Sequence, residues 1–194
     1  MRYELADATM NHNSSLITPN SKTDSKLITP IPMSSYIHQQ VKQFTDKYGK
    51  AALEIESEFG LPAENTLAHA ALESLWGERA PGFNFFGYKA HAGWRGKRQL
   101  LTTSEYFRDT KQGKRFPEVI TILRSTKHPG MYYYKVKDWF RAYDSAEEGF
   151  RDYAKLMTGD RYEPALKQKD DPKAYAWEIG ELGYYTANKD QYSD

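Results

Sequence analysis

Apolar positions run through this chain in three textures. Over residues 1–33 they show no period: the stretch is rich in Ser, Thr, Asn and Pro, and LITP at 16–19 recurs at 27–30. This reads as a disordered leader or linker. It has no apolar core of signal-peptide type and no run of membrane-spanning length, so neither a conventional signal peptide nor membrane insertion is expected. From residue 34 a helical period sets in. Ser34 or Ser35 caps a segment carrying Ile37, Val41, Phe44 and Tyr48, which Gly49 punctuates; Ala52, Ile55 and Phe59 continue the stripe until Gly60. Pro62 opens a third helix, and its later part, residues 67–76 (LAHAALESLW), reads as covered on both sides except at its Glu73 end and stopped by Gly77. From Phe83 to about Tyr143 aromatic and β-branched runs broken by Gly and Pro (GYKAHAGW, QLLTTSEYF, FPEVITIL, MYYYKVKDWFRAY) predict short strands and hairpins, an enlarged β-lobe at about 94–143. Helices return after Asp144. Ser145 and Glu148 form a capping box ahead of Phe150, Tyr153, Ala154 and Met157, and Asp171-Pro172 starts a last helix that ends at Gly183. The fold class is therefore α+β: a helical body and a small β-hairpin lobe flanking a cleft, in one domain over 34–194.

Composition narrows the picture only in part. The 194 residues contain no cysteine and carry a formal charge of +1, which excludes a disulfide scaffold and a thiolate metal site. None of the five histidines has metal-ligand spacing, so no metal and no cofactor is expected. Fifteen Tyr, nine Phe and four Trp suit stacking on sugars or bases as well as core packing. Residues 107–141 hold nine Lys or Arg against three Asp or Glu, a local charge of about +6. That lobe is either a site for a polyanionic partner or an ordinary solvated hairpin. With no recognisable binding motif and near-neutral overall charge, nucleic acid is not an expected partner.

Glu73 is the residue that most needs a reason. A carboxylate beside Trp76 and Leu72, in the last turn of a buried helix, is disfavoured in its charged form by desolvation and by the negative end of the helix dipole. General acids are made this way. The competing reading is a helix-end carboxylate paired with Arg79 or capping a loop. His69, one turn earlier, reads as a core or supporting histidine rather than a ligand.

Residues 70–77 (AALESLWG) followed by 84–90 (NFFGYKA) resemble the paired signature of family 73 glycoside hydrolases, whose usual pattern is ALES-G-WG and then N-L-F-G-I-K-A. Blocks at 102–106 (TTSEY), 140–145 (FRAYDS) and 183–186 (GYYT) follow in the family's order over about residues 49–192. The resemblance implies a lysozyme-like architecture and hydrolysis of the β-1,4 bond after N-acetylglucosamine in peptidoglycan, with no cofactor. It implies that Glu73 is the general acid and Glu105 the second carboxylate, acting as base for water or as electrostatic partner of an oxocarbenium-like transition state. Tyr184 would orient the substrate acetamide or stabilise the transition state, the competing reading being a core tyrosine. Trp76, Asn84, Phe86, Tyr88 and Tyr185 are the implied substrate-binding residues, with Asn84 and Gly87 turning the chain beside the cleft and Phe86 and Tyr88 as its floor or as sugar-stacking faces; core packing accounts for these two aromatics equally well. Carboxylates on separate elements favour inversion through water; nucleophilic attack by the substrate's own acetamide stays open.

Several positions depart from the family pattern. Leu75 stands where the family has Gly, Ala187 where GYATD-type members have Asp, the segment between Glu105 and Phe140 is long, and the chain ends soon after Tyr192. The first is expected to narrow the space near Glu73. Muramidase or lytic transglycosylase chemistry with the same glutamate is the nearest rival, and a non-catalytic wall-binding module is the rival from another class. The expected setting is synthesis in the cytoplasm and action in the periplasm or cell wall after export by a non-classical route: flagellar, contact-dependent or through phage lysis. As an antibacterial effector it would also need a dedicated inhibitor or immunity protein.

Overall fold

The computed structural model describes residues 33–184; residues 1–32, which hold the expected leader, lie outside the described residues, as do Tyr185 and Ala187. The first helix, α1 (Met33–Phe59), is one continuous helix where two were expected. Gly49 does not interrupt it. A lone glycine costs a helix only about 1 kcal/mol, and here Phe44 and Tyr48 before it and Ala51, Ala52 and Ile55 after it are buried in the same core. The stripe also starts later than its period suggests, because Ile37 and Val41 are exposed and burial begins at Phe44. Gly60 then leaves the helix with φ +68°, donating its N–H to the Glu56 carbonyl.

The helix carrying Glu73, α2 (Ala63–Ser74), is not buried on both sides as expected. His69, Ala70, Ala71 and Ser74 face the core, but Ala68 is open and Leu72 is 55 % exposed. Nor does Gly77 stop it. The helix ends at Ser74, and Leu75, Trp76 and Gly77 follow in left-handed backbone with φ of 50°, 56° and 84°. Ser74 holds this loop: its hydroxyl donates to the Ala70 carbonyl and accepts the Gly77 N–H at 2.9 Å, while its carbonyl accepts the Arg79 N–H at 2.8 Å. Gly77 is required on two counts, its positive φ and the Tyr48 ring 3.3 Å from where a Cβ would stand.

The β-lobe contains three antiparallel strands, β1 (Arg98–Phe107), β2 (Glu118–Arg124) and β3 (Tyr132–Arg141), in the order β1-β3-β2. Only β2 and β3 form a hairpin. β1 pairs with β3 along its whole length, from Arg98 opposite Arg141 to Phe107 opposite Tyr132, and the chain then crosses over to β2 through a 3-10 turn at Gln112–Arg115. GYKAHAGW, expected as a strand, contributes only an isolated bridge between Lys89 and Phe140.

The chain returns to the body through α3 (Ala146–Met157), capped as expected by Ser145 and Glu148, whose carboxylate accepts the Asp144 N–H. A short turn and α4 (Glu163–Leu166), not foreseen from the sequence, lead to α5 (Pro172–Glu181), where Asp171 accepts the N–H groups of Lys173 and Ala174. α1 packs on α2 and α3 around an aromatic core in which Phe85 meets Tyr48 and Phe150, each at 5.0 Å between ring centres. No helix of the described residues is long and apolar enough to cross a membrane.

The left-handed residue at 75 is the position of the family's Gly. A side chain there costs about 1–2 kcal/mol, and Leu75, though 40 % exposed, recovers a comparable amount, about 1–2 kcal/mol, through the part that is buried. Leu75→Gly exchanges that burial for relief of the left-handed cost and is expected to change stability by less than about 1 kcal/mol, read as a nearly unmoved midpoint in urea unfolding. A lower midpoint would show that the leucine side chain holds the loop.

Candidate functional site

Two polar groups, one on the helical body and one on the sheet, are joined by residues 84–89. On the body, Glu73 is half-buried in the last turn of α2. Leu72, expected to desolvate it, points largely to solvent. Its charge instead reaches two tyrosines. The hydroxyls of Tyr153 and Tyr184 are held well above the ordinary phenol range, first by burial, then by neighbouring phenols and by Glu73. Both are thus neutral hydrogen-bond donors at any pH the protein meets.

Tyr184 is 6 % exposed, and its ring lies parallel to His69, 5.4 Å away and tilted by 6°. His69 Nδ1 shares a 2.7 Å hydrogen bond with the Tyr153 hydroxyl. Burial drags the His69 pKa from 6.5 down to about 4, so the ring is neutral. As expected, His69 supports its neighbours: it spaces Tyr153 and Tyr184 on the side of α2 next to Glu73.

Asn84 turns the chain from the body to the sheet. Its amide donates to the carbonyls of Tyr88 at 2.9 Å and Arg141 at 3.0 Å, and its side-chain oxygen accepts the Tyr88 N–H at 2.9 Å. Gly87 supplies the positive φ of +62°. Phe86 is 5 % exposed, its ring stacked at 4.1 Å on Tyr153, and Tyr88 is buried behind it. Neither ring offers an open face for stacking; both belong to the hydrophobic core. Trp76 is half-buried with its ring edge-on to Phe44 at 5.9 Å.

On the sheet, Glu105 lies in β1 opposite Tyr134, with its side chain 12 % exposed. It accepts a hydrogen bond from Lys89, whose ammonium also lies 3.1 Å from Asp138. Burial opposes the Lys89 charge, but the two carboxylates hold its pKa above the usual lysine value. Lys89 and Asp138 were not singled out from the sequence. Lys89 stands inside the NFFGYKA block, which was a usable signal. Asp138 had only its strand alternation with Tyr134 and Val136. The FRAYDS block anchors the sheet to the body: Arg141 reaches Asp152 at 2.5 Å, and the Tyr143 hydroxyl donates to the same oxygen. Among the described residues no group of three or more His, Cys, Asp or Glu could hold a metal ion. Tyr185 lies outside the described residues.

The His69 environment makes stability pH-dependent. A histidine whose pKa is lowered on folding binds fewer protons folded than unfolded, so its contribution is complete above about pH 6.5 and is lost as pH falls toward 4. Unfolding free energy should drop through that window by up to about 3 kcal/mol, and His69→Gln should flatten the slope. An unchanged slope in the variant would assign the acid sensitivity to other groups.

Comparison with known proteins adds the family. Residues 49–194 match the model of the glucosaminidase family, described as mannosyl-glycoprotein endo-beta-N-acetylglucosaminidase. The chain is 29 % identical over 165 residues to the peptidoglycan hydrolase FlgJ of Salmonella typhimurium, covering 81 % of this chain and 45 % of FlgJ. It spans less than half the length of each curated relative it matches. The solved glycoside hydrolase domain of that FlgJ, in a C-terminally truncated form, superposes with a TM-score of 0.56 at 30 % identity, covering 78 % of this chain and 89 % of the domain. The catalytic domain of the autolysin Auto from Listeria monocytogenes shares the fold, with a TM-score of 0.57 at 20 % identity over 84 % of this chain and 89 % of that one. With its helical body and three-stranded lobe matching these domains and its sequence matching the family from residue 49 onward, the chain belongs to the glucosaminidase family of glycoside hydrolases.

Proposed function

We propose that residues 34–194 form a peptidoglycan endo-β-N-acetylglucosaminidase in which Glu73 is the general acid. The observation that carries the reading is the half-buried Glu73 at the end of α2, followed by a strained left-handed loop and lying in the field of two neutral phenols. Strain of this kind is tolerated where the surroundings over-determine it, and it gathers at functional sites. Membership of the glucosaminidase family and the likeness to the FlgJ peptidoglycan hydrolases support the reaction and the substrate class.

In this reading Glu73 gives its proton to the glycosidic oxygen as the C–O bond breaks, so that the leaving sugar departs as an alcohol rather than an alkoxide. Positive charge then develops on the ring of the remaining sugar. The Glu105, Lys89 and Asp138 group, two carboxylates and one ammonium, has a formal charge of −1 and favours that charge. Glu105 also serves as the base that takes a proton from the attacking water, and Lys89 positions it. Tyr184, a donor that does not ionise, orients the acetamide. Asn84, Phe86 and Tyr88 shape the floor, and Trp76 and Tyr185 complete the glycan-binding side. Action on peptidoglycan would put the work in the periplasm or cell wall, with an inhibitor protein where the enzyme serves as an antibacterial weapon.

The decisive test is digestion of purified peptidoglycan by the wild-type protein and Glu73→Gln, with reduced products identified by mass spectrometry. Glutamine keeps the shape and removes the proton. N-acetylglucosamine at the new reducing ends, reduced at least roughly a hundredfold in the variant, is the expected result. N-acetylmuramic acid or anhydro ends would move the chain to muramidase or transglycosylase chemistry. Wall binding without any released sugar would leave a binding module.

A further inference from the structure

The edge of β3 facing β2 is not covered evenly. β2 pairs with β3 only as far as Glu118 opposite Lys137, and the bridge from Lys89 takes over at Phe140. Between them, at Asp138 and Trp139, the neighbouring chain changes, and a notch of about 530 Å³ opens. Residues 90–92, 94 and 95 line it, as do residues 114–117.

Four cations line this notch, Arg95, Arg98, Lys114 and Arg115, against one acid, Asp138. Asp138 is already engaged, with Lys89 at 3.1 Å and with the Trp139 N–H at 2.8 Å. Among the described residues none of the four cations has an ion-pair partner. Two are held by rings instead: the Arg98 guanidinium lies 4.2 Å from the centre of the Trp139 ring, and that of Arg115 lies 5.2 Å from Phe107. A ring orients a guanidinium without neutralising it, so the charge stays available to an anion. Arg95 is steadied by donating to the Ala92 carbonyl at 2.8 Å.

We propose that this notch binds the carboxylates of the peptide branches carried by the glycan strand. The proposal rests on the peptidoglycan hydrolase reading, and the position of the notch favours this anion. Asp138 belongs both to its wall and to the Lys89–Glu105 group, so an anion in the notch is adjacent to the second carboxylate of the site. Peptide branches leave the glycan at alternate sugars and carry several carboxylates within reach of the scissile bond. Three of the four cations are arginines, whose planar forks match carboxylates two bonds at a time. Such a notch would make the enzyme prefer peptide-bearing glycan over bare strands.

The test uses the full chain as Glu73→Gln, so that nothing turns over, with binding followed by tryptophan fluorescence, since Trp94 and Trp139 line the notch. The probes are a soluble disaccharide tetrapeptide muropeptide, the same disaccharide without peptide, and a glycerol phosphate oligomer. The peptide is expected to tighten binding roughly tenfold, and Arg98→Gln with Arg115→Gln to erase that gain while leaving the disaccharide affinity unchanged. Lys114→Gln, at an exposed position, gives a second and smaller loss. Equal affinity for the two sugars, a gain that survives the double substitution, or tighter binding of the phosphate oligomer would each overturn the proposal. Wild-type turnover is read separately: on strands stripped of peptide, KM should rise with kcat retained. Absence of any turnover would defeat the hydrolase reading, while the muropeptide titration would still decide the notch.

Discussion

Residues 84–88 tie the two halves of this molecule together, and the site depends on that tie. Asn84 satisfies two carbonyls and one N–H with a single buried side chain, one of those carbonyls being that of Arg141 at the end of the central strand. The next two residues place Phe85 among the rings of α1 and α3 and Phe86 flat on Tyr153. A buried amide with all these bonds made is costly to disturb, because each group left unpaired keeps its full desolvation penalty. The hydrogen bonds therefore set the register of the sheet against the body, and the rings set its depth. α3 closes on the residue just before this segment so tightly that a Cβ at Gly149 would stand 2.4 Å from the Phe83 carbonyl oxygen.

From this tie the polar groups inherit their places. Lys89 follows directly on Tyr88, and its ammonium gathers Glu105 from β1 and Asp138 from β3. On the other side, Phe86 supports Tyr153, which shares a hydrogen bond with His69, and His69 faces Tyr184. The body thus offers a carboxylate beside phenols that cannot ionise, while the sheet offers carboxylates bound to an ammonium. A carboxylate among neutral phenols and carboxylates bound to an ammonium are different electrostatic environments, and placing them on separate elements lets each be set without disturbing the other.

The same economy explains where strain is tolerated. Leu75 and Trp76 take left-handed backbone in the loop directly after Glu73, and the buried Ser74 side chain, bonded at both ends, holds them there. The β-lobe is looser in a different way. Its central strand changes partners, which leaves a gap in the edge and exposes a cluster of arginines beside the carboxylates rather than covering them.

Local chemistry carried much of this into the sequence. The caps at Ser145 and Asp171, the exits at Gly60 and Gly183 and the β-rich lobe were legible because each depends on a few neighbouring residues. The motif blocks, which record residue types at fixed spacing, put Glu73, Glu105 and Tyr184 forward as candidates. What tertiary structure alone decided depends on contacts distant in sequence. Gly49 sits inside a continuous helix because core burial on both sides outweighs its local cost, and α2 leaves Leu72 open because no element of the described residues packs over it. The crossover that makes β3 central, and with it the meeting of Lys89, Glu105 and Asp138, joins residues as many as 49 positions apart. Periodicity states which face of an element is apolar; only the packed chain determines what meets that face.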